Sequence, residues 1–280
     1  MSRSAIVALS ISAALATPAA AQDWRTITTF RQLADEEMLR VDVEYGAGRF
    51  EVAPGAGNLL YRANLRYDAD VFRPITSYGN GRLRLGFEGG SIRGRNLKAG
   101  HLQLLLGQRV PLDLSLKFGA AEADLELGGL RIREAQISTG ASRTDVAFSQ
   151  PNPEVCRSLK LEVGAAQFQA RGIGNLNAER MTVSGGVGEV TLDFTGRWRT
   201  NLTADIDMGL GALNIRVPRG LGVRVRKSGI LASFDSQGLV KRGDVYFSED
   251  WERADHRLTI NIDAALGAIR LAWVDEENDN

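Results

Sequence analysis

Two aspartates, Asp207 and Asp263, hold the same place in two copies of a fourteen-residue segment that recurs along the chain. Carboxylates brought to roughly 5 Å of each other are the equipment of glycoside hydrolysis or of a calcium site, so this pair is the one enzyme-like constellation in the sequence. The ordinary reading is an outward polar row on a strand. A second group is cationic. Arg197 and Arg199 flank Trp198, and Arg224 and Arg226 lie two residues apart, about 7 Å on an extended strand. An aromatic ring between guanidiniums suits a sugar ring carrying phosphate or carboxylate, which points to an anionic envelope polymer. The plain alternative is a solvated strand face with a half-buried tryptophan.

Other chemistry is thin. The chain has two histidines, His101 and His256, and one cysteine, Cys156, which leaves little for a His-rich zinc site, a Ser-His-Asp triad or an internal disulfide. Gly89-Gly90-Ser91-Ile92-Arg93 fails the nucleophile elbow at its last position. Gly46, Gly186 and Gly209 each begin a G-x-G, but Glu51, Thr191 and Asn214 stand where a dinucleotide fingerprint needs its third glycine, and a strand follows instead of a helix. No cofactor and no metal are expected. With 34 basic and 34 acidic residues the chain is neutral, which argues against nucleic acid as a partner.

These side chains depend on the repeat for their placement. Met181 to Phe194, MTVSGGVGEVTLDF, alternates apolar and polar residues on both sides of a small-residue corner. Six more copies begin at Val41, Leu114, Ala135, Leu159, Ala204 and Ile260. Their sixth position reads Gly46, Gly119, Gly140, Gly164, Gly186, Gly209 and Ala265; their eighth reads Gly48, Ala121, Ser142, Ala166, Gly188, Gly211 and Gly267. The sixth position therefore looks like a corner packed too closely for a side chain, and the eighth like a demand for small size. Copies from Leu114 to Ala204 start 21 to 24 residues apart, and the connectors carry apolar residues of their own, Leu130, Ile132, Leu176 and Leu202. One repeat per coil of an all-β solenoid follows, with a sandwich of stacked hairpins as the alternative. Seven coils would make a rod on the order of 34 Å long. Val190, Leu192, Phe194, Leu213, Ile215, Val217, Ile269 and Leu271 should share a buried face, with Thr191, Asn214 and Arg270 opposite.

Around this unit the chain divides simply. Residues 1–21, with Arg3, an apolar run from Ala5 to Ala16 and Ala19-Ala20-Ala21, read as a cleavable export signal, too short to remain as a membrane span. Residues 22–40 read as a helical or irregular lead-in that caps the stack, and 41–274 as one repetitive β domain. Within it, residues 55–110 depart from the template as irregular coils. Residues 218–259 interrupt the period between the last two copies and read as an exposed insertion, the likeliest place for function. Residues 275–280 form an acidic tail expected to be disordered.

The lead-in, VDVEYGAGRFEVAP, the following LYRANLRYDADVFRPITSY and the later G-x-G strand pairs resemble the toast-rack domain family of bacterial envelope proteins, which is similar to adhesin-like domains and to domains responding to cell-wall-active antibiotics. That resemblance implies a stacked β fold and a periplasmic, or else secreted or surface-associated, location, and brings no catalytic residues. The expectation is a non-enzymatic envelope binding or scaffold protein, linked to envelope stress or adhesion, whose partner is an anionic polymer or another envelope protein. The competing expectation is a glycan-active enzyme using Asp207 and Asp263.

Overall fold

The computed structural model describes residues 23–87, 100–229, 231–235 and 237–275. Residues 1–21, read above as an export signal, the segment Gly89–Arg93 and the tail beyond Asp275 lie outside the described residues. In chain order the strands are β1 (Trp24–Gln32), β2 (Leu39–Gly55), β3 (Leu59–Asp68), β4 (Pro74–Gly79), β5 (Arg82–Phe87), β6 (Gly100–Gly107), β7 (Pro111–Glu126), β8 (Arg131–Thr139) and β9 (Arg143–Ala147). They continue with β10 (Ser158–Arg171), β11 (Arg180–Asp193), β12 (Leu202–Pro218), β13 (Gly222–Ser228), β14 (Leu231–Asp235), β15 (Leu239–Arg242), β16 (Val245–Ser248) and β17 (Arg257–Val274). A 3-10 turn, Ile173–Leu176, lies between β10 and β11.

The seven template copies stack in parallel in the register of the sequence alignment. Val41 opposes Leu114, Leu114 opposes Ala135, Ala135 opposes Leu159, Leu159 opposes Met181, Met181 opposes Ala204, and Ala204 opposes Ile260. Each long strand bends at the corner. Before it Met181 and Val183 point inward; after it Val190 and Leu192 do, so the buried set changes parity across Gly186 to Gly188. The two arms and the connector then enclose one core. All eight residues expected on the buried face are at most 3% exposed, and Leu130, Ile132, Leu176 and Leu202 close the third side. Burying each such leucine or phenylalanine contributes about 1.5–3 kcal/mol, enough in sum to hold a stack without disulfides.

Corner glycines serve two purposes. A Cβ on Gly209 would lie 2.5 Å from the Gly186 carbonyl oxygen in the coil beneath, so the sixth position is a close approach between backbones. At the eighth position Gly188 and Gly211 adopt φ of 139° and 141°, where an L side chain is strained, and a Cβ on Gly211 would collide with the Gly188 carbonyl. Ala121, Ser142 and Ala166 hold the same position without positive φ, so the corner has two backbone forms.

The ends differ from the expected rod. Residues 55–110 leave β2 and build a coil from β5 and β6 on its far side, with Val41 opposite Leu83 and Phe50 opposite Leu102; the chain then crosses back to β7. Residues 218–259 do the mirror operation. They are no loop: β13 and β14 form a terminal coil, and β17 returns to pair with β12 on one side and with β13 and β14 on the other. Among the described residues nine layers result instead of seven, about 38 Å between the first and last strands.

Antiparallel strands cover parts of both ends: β4 on β5, β3 on β6 and β1 on β3 at one, β16 on β13 and β15 on β16 at the other. The helical or irregular lead-in is thus corrected: Trp24–Gln32 is a strand, and only residues 33–38 are irregular. Glu36 fixes that bend. Burial alone would raise its carboxyl, but the Ala34 N–H, the Arg31 guanidinium at 2.7 Å and the Tyr78 hydroxyl at 2.9 Å donate to it and hold it down at about 2.

Candidate binding face and cleft

Strand β13 presents Val223 and Val225 to the core, both 0% exposed, which turns Arg224 and Arg226 outward. In the antiparallel ladder Arg226 opposes Val245, which opposes Arg242; Arg224 opposes Phe247, which opposes Val240. Directly opposed residues share a face, so three arginines surround Phe247 and two valines on one outer surface. The Arg242 guanidinium lies 5.6 Å from the Phe247 ring centre, and Trp251 meets the same ring edge-on at 5.8 Å. None of the three arginines forms an ion pair among the described residues. Sequence reasoning found Arg224 and Arg226 but missed Arg242 and Phe247. Gly243, at φ 61° between alternating residues on both sides, was the available hairpin signal.

The other half of the expected cationic group sits elsewhere. Arg197 and Trp198 line an open cleft of 1340 Å³ formed by the connectors of successive coils, and Arg224 and Arg226 do not. Trp198 is half-buried, with its indole N–H donating to the Phe194 carbonyl at 2.9 Å and its ring against Gly174. Arg199 is a structural residue: its guanidinium donates to the Asn152 carbonyl and meets the Asn177 side-chain oxygen. His256 lines the cleft too. His101 lies instead on an outer strand face, 3.4 Å from Glu51.

Asp207 and Asp263 are neighbours across β12 and β17, as the register required. Both are exposed, above a shallow depression of 470 Å³ floored by Gly186, Gly209 and Ala265. Such an open floor does not enclose a sugar between an acid on one face and a nucleophile on the other. No group of three His, Cys, Asp or Glu suited to a metal occurs among the described residues.

Cys156 is 0% exposed, and burial pushes its thiol up to about 12. The native protein should therefore resist a thiol reagent at neutral pH and react with one equivalent once unfolded, as read by mass spectrometry; labelling at equal rates in both states would contradict a buried thiol.

Comparison with solved structures shows the fold. A provisionally named cell adhesion protein of Clostridium sporogenes aligns over 90% of this chain and 100% of its own, at 15% identity and a TM-score of 0.50. A provisionally named adhesin of Bacteroides fragilis aligns over 88% and 97% at 13% identity, with a TM-score of 0.38. A provisionally named lipid binding protein of Parabacteroides distasonis aligns over 89% and 98% at 11% identity, with a TM-score of 0.37. No curated protein matches the chain. The family described as the N-terminal domain of toast_rack (DUF2154) matches residues 19–155 and 150–216, more than half of the 280 residues. On that match, and with coils stacked in the alignment's own register, the chain belongs to the toast-rack family.

Proposed function

We propose that this is an exported, non-enzymatic binding or scaffold protein of the bacterial cell envelope, which holds an anionic polymer against the arginine face of its terminal coil. The observation that carries the reading is the row of Arg224, Arg226 and Arg242 around Phe247, three guanidiniums without an ion-pair partner among the described residues. Export is supported by the sequence of residues 1–21, which reads as a signal removed before Gln22, and the periplasm is the expected destination. The adhesion name of the Clostridium sporogenes protein agrees with a binding role in adhesion.

Retention on immobilised lipopolysaccharide tests this. The mature protein should be held at low salt and released near 1 M, where the Debye length has fallen to about 3 Å. The Arg224→Ser, Arg226→Ser double variant should elute early. Equal retention of the two proteins at low salt would remove this face as the site. Incubation with peptidoglycan should release no soluble fragments; release that Asp207→Asn abolishes would overturn the non-enzymatic reading.

A further inference from the structure

The connector cleft has a chemistry of its own. Its lining includes three arginines and three aspartates, so it carries no surplus of charge while His256 is neutral. Two of the arginines are matched within it: Arg216 lies 3.5 Å from Asp193, and Arg219 lies 2.7 Å from Asp275. Each pair sets guanidinium donors beside carboxylate acceptors. Arg197 and Asp255 form no ion pair among the described residues, and the Arg197 main-chain N–H is already committed to the Asn175 side chain at 2.8 Å. Two tryptophans line the same space. Trp198 donates its N–H to Phe194, and Trp273 donates its own to the Gln237 carbonyl at 3.0 Å, so both rings are fixed in place and need no polar contact from a ligand.

We infer that this cleft binds a neutral, hydroxyl-rich oligosaccharide laid along the stack, a site separate from the arginine face. Alternating donors and acceptors match hydroxyl groups, each of which both donates and accepts, and fixed indoles suit the apolar C–H face of a sugar ring. A polyanion would instead meet Asp193, Asp255 and Asp275. Length matters as well. The lining runs from Pro151, after β9, to Trp273 on β17, five layers of the stack and about 19 Å, longer than one sugar ring. This site stands whether or not the arginine face binds its polymer.

The test is calorimetric titration of the mature protein with neutral tetrasaccharides of glucose, mannose and N-acetylglucosamine, beside the matching monosaccharides. At least one tetrasaccharide should bind about tenfold or more tighter than its monosaccharide, with affinity unchanged near 1 M salt, where attraction between exposed charges is screened. Arg197→Ala, at an exposed position whose main-chain bond survives, should weaken that binding about tenfold and leave the melting temperature in place. The Arg224→Ser, Arg226→Ser variant should bind like the parent. Failure of all three tetrasaccharides, loss of binding in salt, or indifference to Arg197→Ala in a folded protein would each overturn the assignment.

Discussion

Gly211→Ala is expected to lower stability by about 2–5 kcal/mol, the sum of a backbone held where L residues are strained and a methyl group forced into a packed neighbour. Gly211 sits at φ 141°, and its Cβ would run into the Gly188 carbonyl of the adjoining coil, which is backbone and cannot swing away. Gly186 is the control. It lies two positions earlier in its own template copy without positive φ, and its Cβ would stand 3.1 Å from the Gly164 oxygen, a gap that a few tenths of an ångström relieve. Gly186→Ala should therefore cost under about 1 kcal/mol, near the ordinary range for a tolerated substitution. Denaturant midpoints decide it: equal shifts would mean that the corner is governed by size alone.

Asn152→Leu should cost about 3 kcal/mol or more, although both side chains are uncharged and branch at the same carbon. Asn152 is 2% exposed and acts as a polar rivet across three coils. Its oxygen accepts from the Ile132 and Glu154 N–H groups, each at 3.1 Å; its amide donates to the carbonyls of Ile132 at 2.7 Å and Leu176 at 3.0 Å. Leucine would leave those four main-chain groups without these partners, at about 1–3 kcal/mol for each buried one that finds no replacement. Exposed Gln150, two residues earlier, should tolerate leucine within about 0.5 kcal/mol. Indistinguishable unfolding curves for the two variants would show that the rivet is idle.

These two residues mark what the sequence tells and what it hides. The alternation at Val190, Leu192 and Phe194 repeats with a fixed corner, so both the buried face and the pairing of Asp207 with Asp263 across a long gap were readable as register. Asn152 gave no periodic signal, because its partners are main-chain groups of other coils. The β1 strand was hidden for a related reason. Trp24–Gln32 is an edge strand with most residues exposed, so neither apolar alternation nor a corner announces it. Of the cationic group, spacing on one strand predicted Arg224 with Arg226. It could not predict that Arg197 belongs to a different surface, since the turn of the coil separates them.

The threading of β17 between β12 and β13 has a consequence for the order in which the protein is made. Synthesis proceeds from the N-terminus, so β13 and β14 emerge before β17, the strand they lie against. Until then β12 presents an open edge, and β13 has only the short β16 for company. The finished terminal coil, with the Trp273 wall of the cleft, thus forms only once β17 has emerged. A chain released before residue 257 would keep the earlier coils and carry a raw β12 edge, a template for sticking to its own kind.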